Sequence, residues 1–481
     1  MFKYQIYKKL QANIPAIYKE AKDAAAEIGI PDDLKGTFGL TGAISGCPAP
    51  LRDDIAHFCE EGGKKVIPLA KLVDDIRELI KGFYGDEYDC APVNTCEAGL
   101  WTAYDCLLTP PNLGRGDNYR TRYLAPLEKH LHHHGAYGRP FPPKYKDIFA
   151  DRGSSAGELG FYGKRQNNMD TVIVPMEGAE YPVHGIKYWP VPLLTGVDAE
   201  KTVAKMEEVA QRHADQVTGF ASLGYETPGY GYGQKDENGV PLLQKGLSRL
   251  AQKWNVPYIV DNAWGIPFVG TDIRKTGADV MIYSMDKASG ATTSGLIIGK
   301  EEYMVPIRRA MGMHGDRWGT TASYGKAAYV TQDPGKEALL GQIAALRVLK
   351  DAPEVLTKPV DDFYDIIEQE FSQLDANLRQ GIIFNKSYNS TAIEVNYEGT
   401  WADGSGIPIF SIEDMYAGSN LLQTGLAQMG VIPTIAYDAN IYISPGLGTT
   451  DEKGQIIEER ARYAVKALVK LIEIITKYAY N

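Results

Sequence analysis

Cysteine is scarce: Cys47, Cys59, Cys90, Cys96 and Cys106 are the five among 481 residues, all in the first quarter and without a C-x-x-C pair. An odd count in that arrangement argues against a disulfide framework and a structural zinc site, and leaves buried thiols as the expectation. Long apolar runs are missing as well, with none near the ~18 uncharged residues a membrane-spanning helix needs. The opening MFKYQIYKKLQANIPAIYKEAKD carries charge throughout and has no apolar h-region. No membrane association and a cytoplasmic location are the expectation. Positive charge is not in excess: 50 Lys and Arg stand against 61 Asp and Glu, for a net charge of −11 and a pI near 5.4. That balance disfavours nucleic acid or anionic lipid as bulk electrostatic partners, while a local basic patch stays open. Repeats and low-complexity tracts are absent too, and a hydrophobic content of 44% places the chain among ordinary globular proteins, at a length for which two domains are the default.

The segments differ in character along the chain. Residues 1–75 read as helical stretches around a Gly/Pro-rich break, GTFGLTGAISGCPAP (36–50), too small to form a core alone. LVDDIRELIKGFYG then has helical spacing and stops at Gly85, and APVNTCEAGLWTAYDCLL reads as a turn feeding a second amphipathic helix. Residues 107–168, rich in Pro, Gly, Arg, Tyr and His, read as an insertion. Alternation resumes with strands MDTVIVPM (169–176) and IKYWPVPL (186–193), helix 198–214, strand QVTGFASL (216–223), helix LLQKGLSRLAQKW (242–254), and strands VPYIVD (256–261) and ADVMIYSM (278–285). Val/Ile-rich strands alternating with amphipathic helices predict an α/β fold with a parallel sheet covered on both faces. The expected division is an N-terminal segment (1–75), a large α/β domain (76–330) and a small α+β domain (331–481) that closes on a long helix.

Reactive groups in open parallel sheets sit beyond the carboxyl ends of the strands. Asp261 ends VPYIVD, and Lys287 follows 26 positions later, two residues past ADVMIYSM. The run IVDNAWGIPFVGTDIRKTGADVMIYSMDKASGATTSGLIIG (259–299), with VDN, Pro267, GAD, S-x-x-K and a Gly-rich exit strand, resembles the core of the fold-type I pyridoxal 5′-phosphate (PLP) enzymes, the aspartate aminotransferase superfamily. Its order of motifs is most similar to the cystathionine/methionine lyase branch and the class V aminotransferase and desulfurase-like branches. The likeness covers residues 75–330 well and the rest in outline. It implies the PLP-dependent transferase fold and PLP as cofactor. Lys287 would bond to the cofactor's aldehyde and shuttle protons, and Asp261 would keep the pyridine nitrogen protonated. Ser284 matches the phosphate-binding serine. VNTCEAG (93–99) occupies the place of the phosphate loop, with Thr95 and Cys96 as donors, although a plain N-cap explains the same residues. In VIVPMEGAEYPVHG (172–185), Tyr181 is the candidate to stack on the pyridine ring and His184 the reserve. Thr227 falls where the cofactor's 3′-oxygen is contacted. HGDRWGTTAS (314–323), with Thr320 or Thr321, resembles a loop that reaches a partner subunit's phosphate, which implies a homodimer or higher homo-oligomer.

The chain also departs from that pattern. Many relatives carry an arginine for the substrate carboxylate where NIYISPGLGTTDE here has Tyr442, so another arginine (Arg52, Arg308, Arg317, Arg120 or Arg122) or a different substrate is required. No cysteine lies in the C-terminal half, which disfavours a cysteine desulfurase. His130, His132, His133 and His134 are adjacent on one segment and cannot converge on one ion, so no metal is expected. Tyr225, Tyr230 and Tyr232 could line a pocket or simply pack. The expected activity is elimination or replacement on an amino-acid or amine substrate, with an aminotransferase or a catalytically silent partner protein of this fold as alternatives.

Overall fold

The computed structural model describes residues 3–108, 122–126, 139–140, 170–178, 196–224, 230–312, 330–402, 406–409, 421–433, 436–437 and 441–481. The chain has an α/β fold built on an eight-stranded sheet. In chain order its strands are β1 (Tyr88–Val93), β2 (Arg122–Pro126), β3 (Arg139–Pro140), β4 (Asp170–Val174), β5 (Val217–Leu223), β6 (Tyr258–Asp261), β7 (Val280–Ser284) and β8 (Gly295–Lys300), in the spatial order β1-β8-β7-β6-β5-β2-β4-β3. Pairing from β3 across to β7 is parallel, whereas β8 runs antiparallel to both β7 and β1. Every residue of β5, β6 and β7 is buried, which is why these segments read as near-continuous apolar runs.

Helices cover the sheet where the 3.6-residue period predicts them. On one face lie α3 (Asp53–Gly63), α4 (Leu69–Tyr84) and later elements; α5 (Cys96–Leu108) packs on β7 and β8, and α6 (Ala199–Arg212) and α7 (Leu242–Trp254) pack together. Asp198 caps α6 by accepting the Lys201 amide at 3.0 Å, and Asn255 ends α7 in the left-handed conformation, its amide donating to the Gln252 carbonyl at 3.2 Å. The short α8 (Ile273–Thr276) precedes β7, and α9 (Glu301–Ala310) follows β8.

After α10 (Lys336–Asp351) come α11 (Glu354–Phe371), α12 (Ala376–Arg379), β9 (Ile383–Ser387), β10 (Ala392–Asn396), α13 (Leu421–Gln428), β11 (Ala436–Tyr437), β12 (Ile441–Ile443) and α14 (Glu458–Tyr480). The four strands form an antiparallel sheet ordered β11-β12-β10-β9.

Three features differ from the sequence reading. Arg122–Pro126, inside the stretch taken as an insertion, is a strand of the main sheet between β5 and β4, its apolar centre too short to register as a run. The helices α1 (Lys3–Ala12) and α2 (Ile14–Ile28) share a core with α11, α13 and α14, while α3 packs with the large sheet's helices. The N-terminal segment is therefore split between the two cores. Helix α10, placed by the sequence beyond residue 330 in the small domain, packs on α3 and α4 in the large one. Amphipathic periodicity shows that a helix has an apolar face, not which distant surface that face meets. The predicted strand 186–193 lies outside the described residues.

Because Ile17 is fully buried against the C-terminal helices, Ile17→Ala is expected to lower stability by about 2–5 kcal/mol in chemical denaturation. A loss below about 0.5 kcal/mol, the range of neutral surface changes, would show that α2 is not part of that core.

Candidate active site

The register of the main sheet brings the charged residues together. Asp261 pairs with Leu223 on one side and Ile282 on the other, so it stands at the carboxyl end of three adjacent parallel strands. Ser284 ends β7 opposite Gly295, which in turn faces Val93 at the end of β1. A Cβ on Gly295 would fall 2.6 Å from the Cys96 nitrogen and from the Thr95 carbonyl. Only glycine lets the start of α5 press against this end of the sheet.

Lys287 lies on the turn between β7 and β8, held by the Met285 amide on the Ser294 carbonyl at 2.9 Å and the Gly290 amide on the Lys287 carbonyl at 3.0 Å. It is half-buried, with Nζ 6.0 Å from the centre of the Trp264 ring. Trp264 meets Tyr442 edge-on at 5.5 Å between centroids, and Tyr230 lies 5.5 Å beyond Tyr442. An aromatic wall thus runs from the lysine into the small sheet. Tyr442 is fully buried and its hydroxyl donates to Glu394 at 3.4 Å.

Asp261 is buried and its Oδ1 accepts the Ala263 amide at 3.1 Å. Cys96 senses the whole cluster. Burial, reinforced by the carboxylates of Asp261 and Asp286, pushes its thiol well above the ordinary range, against the opposing influence of Lys287. Thr95 is exposed and its hydroxyl accepts the Ala98 amide at 3.1 Å, the N-cap geometry. Ser284 donates to Asp286 at 2.6 Å, and Ser45 donates to the same oxygen at 3.2 Å.

Behind Asp261 the next residue makes a buried amide pair. Asn389 Nδ2 donates to Asn262 Oδ1 at 3.0 Å, and Asn262 Nδ2 donates back to Asn389 Oδ1 at 3.3 Å. Asn389 also donates to the Gly224 carbonyl at 2.8 Å and accepts the Thr271 amide at 2.9 Å. A Cβ at Gly224 or Gly265 would run into Asn262, and one at Gly270 into Asn389.

The structure therefore gathers Thr95, Cys96, Asp261, Ser284 and Lys287 at one end of the sheet. Tyr181, His184, Thr227, Thr320 and Thr321 lie outside the described residues, as do His130, His132, His133, His134, Arg120, Arg317 and Tyr225. Of the other arginines weighed, Arg308 is committed to Asp89 and Glu301, the latter at 3.0 Å, in a buried cluster with Arg77. Burial lowers the Arg308 pKa to about 10. Arg122 pairs with Val217 at the amino end of β5, and its guanidinium meets His213 at 2.9 Å. That is the far end of the sheet, about 20 Å from Asp261 at the usual rise per strand residue. Arg52, by contrast, lines a cavity of about 70 Å³ together with Lys287. The sequence reading missed Trp264 and Asn389. Trp264 had a signal in its place within VDNAWG, whereas Asn389 had none.

No family model matches the sequence, and no curated protein matches it. Solved structures do match. The complex of SepCysS with the SepCysE N-terminal domain aligns with 92% of this chain and 95% of its own at 13% identity, with a TM-score of 0.52. The chain has the fold of the fold-type I PLP-dependent enzymes. Two further structures of similar coverage, a D-glucosaminate-6-phosphate ammonia-lyase (14% identity, 92% of this chain and 96% of that one) and the ureidoglycine–glyoxylate aminotransferase of Bacillus subtilis (12% identity, 88% and 93%), have TM-scores of 0.47 and 0.48 and add no weight to that assignment. In a fold-type I sheet the cluster at Asp261 and Lys287 occupies the strand ends where open α/β sheets bind ligands.

Two outcomes follow from this geometry. Cys96 and Cys90, the latter's thiol raised to about 12 by burial, are expected to resist alkylation at mildly alkaline pH in the native protein and to react on unfolding; peptide mapping that finds Cys96 modified as fast as an exposed thiol would contradict the packing. Asn389→Ala is expected to lower stability by about 1–3 kcal/mol for each buried group left unpaired, measured by denaturant titration, and an unchanged midpoint would show that the amide pair carries no load.

Proposed function

We propose that this chain is a PLP-dependent enzyme acting on an amino acid or amine, with elimination or replacement at the substrate as its reaction. One observation carries the reading: the buried carboxylate of Asp261 and the amine of Lys287 extend from neighbouring strands at the same sheet end, beside the amino terminus of α5.

The residues present fit the cofactor at three points. Lys287 supplies the amine for the aldehyde, Asp261 an anion for the ring nitrogen, and α5 its first amides. The cradle at Gly295, which a Cβ would close, leaves room for that helix start. The fit departs at Ser284. Its proton is given to Asp286, so the expected phosphate donor is engaged with a carboxylate, and the phosphate contact rests on the α5 amides and the helix dipole. Bound there, PLP supplies an electron sink for negative charge at the substrate's Cα.

The protein's own groups then divide the work. Lys287 Nζ would hold the cofactor's aldehyde and would serve as the base and acid for the proton at the substrate's Cα. Asp261 would keep the pyridine nitrogen protonated, and its burial would strengthen that interaction. Trp264, backed edge-on by Tyr442, forms an aromatic wall on one side of the Lys287 amine. Cys96, kept protonated, serves as packing and a weak donor. We further propose roles for Tyr181 or His184 in stacking on the ring, for Thr227 at the 3′-oxygen, and for Thr320 or Thr321 across a homodimer interface.

Purified protein mixed with PLP is expected to show a near-visible absorbance band that borohydride fixes onto Lys287 and that Lys287→Ala abolishes. A band that survives the substitution, or none in the parent protein, would refute the reading and favour a silent relative of this fold.

A further inference from the structure

Arg52 stands at the N-cap position of α3, and its side chain is 9% exposed. Two of its nitrogens are engaged: Nε and Nη2 donate to the two oxygens of Asp54, each at 3.1 Å. Nη1 has no hydrogen-bond partner among the described residues. It faces the lysine turn, since a Cβ built on Gly290 would lie 3.8 Å from it. Nη1 is not sealed in the interior but opens onto the cavity, so it is a charged donor available to a small acceptor there.

The space before it suits a small acceptor. Arg52 and Lys287 line one cavity, with Gly42, Gly446 and Gly454 offering backbone walls and Val355 an apolar one. Its volume of about 70 Å³ is several times the ~10–15 Å³ that one water requires. A second cavity of about 340 Å³ shares Val355, Pro359 and Gly454 with it; its lining balances Lys358 and Lys453 with Glu354 and Asp362, Lys358 being paired with Asp362, so that the attraction of an anion falls to Arg52 and not to this lining. Asp54 is half-exposed, so it neutralises the fork from the solvent side and leaves Nη1 to the cavity.

We propose that Arg52 binds the carboxylate of the substrate in the cavity it shares with Lys287, so that the substrate is an amino acid and not a simple amine. Tyr442 cannot do this, being uncharged and turned to Glu394. Arg52 acts here as the specificity-determining residue. The assignment of an amino acid rests on the reading of Lys287 as the amine-binding group, whereas carboxylate binding at Arg52 does not.

Two measurements separate these. In cofactor-free protein, propionate is expected to raise the melting temperature relative to chloride at equal ionic strength. Arg52→Gln removes that shift, and Ala43→Leu, which fills the cavity and leaves Arg52 in place, removes it too should the first variant fail to fold. In PLP-loaded protein followed by absorbance, alanine is expected to titrate at least about tenfold more tightly than ethylamine, the worth of one charge-assisted contact, with the ratio falling towards one in Arg52→Gln. No propionate shift in the parent protein, or an equal shift in folded Arg52→Gln, overturns the proposal. An Arg52-dependent propionate shift without any Lys287-dependent cofactor band leaves the anion site standing and removes the PLP reading instead.

Discussion

The reciprocal amide pair of Asn262 and Asn389 is the contact on which the arrangement of the site depends. One partner directly follows Asp261 at the end of a parallel strand, and the other sits on the turn between β9 and β10. Each amide can satisfy the other in both directions, so neither is left wanting in the interior, and Asn389 has donors and acceptors to spare for Gly224 and Thr271. Buried polar networks specify a unique packing when every member is satisfied. Here the network fixes the small sheet's turn against the strand end that carries the carboxylate. Gly224, Gly265 and Gly270 are its corollary, since side chains there would occupy the amides' space.

Charge is distributed with the same economy. Asp89 gathers Arg77 and Arg308 deep beside β1, where strong ion pairing consumes both guanidinium groups in holding α4, β1 and α9 together. Near Lys287 the surroundings are different: an aromatic wall of Trp264 and Tyr442, a buried carboxylate at Asp261, and Asp286 bound by two serine hydroxyls. The N-terminal loop threads between the modules through bridges from Gly39 to Ile432 and from Thr41 to Ser444, with the Thr41 hydroxyl on the Tyr442 carbonyl at 2.8 Å. That path delivers Arg52 to the lysine cavity from the opposite end of the sequence.

At 13% identity to the SepCysS complex, what the fold retains is the order of buried strands and covering helices more than particular side chains. In this chain the Tyr442 hydroxyl is turned to Glu394 and the Ser284 hydroxyl to Asp286. Fold and reaction are separable in this way because the backbone is held by burial on both faces of the sheet, and the chemistry by a few groups at one end of it.

Sequence alone determined the elements whose signal is local. The runs QVTGFASL, YIVD and VMIYS are strands because their Val-, Ile- and aromatic-rich positions suit burial on both faces, and LLQKGLSRLAQKW is a helix because its apolar positions recur at the helical period. With those fixed, Asp261 and Lys287 had to lie at strand ends. Tertiary structure alone decided what depends on distant surfaces meeting: that 122–126 joins the main sheet, that α1 and α2 complete the C-terminal core while α10 completes the large one, that Asn389 pairs with Asn262, and that Arg52, of the arginines weighed within the described residues, faces Lys287. Periodicity reports that a face is apolar or that a residue is charged; which partner it finds is set by contacts between residues far apart in the chain, and no local pattern encodes those.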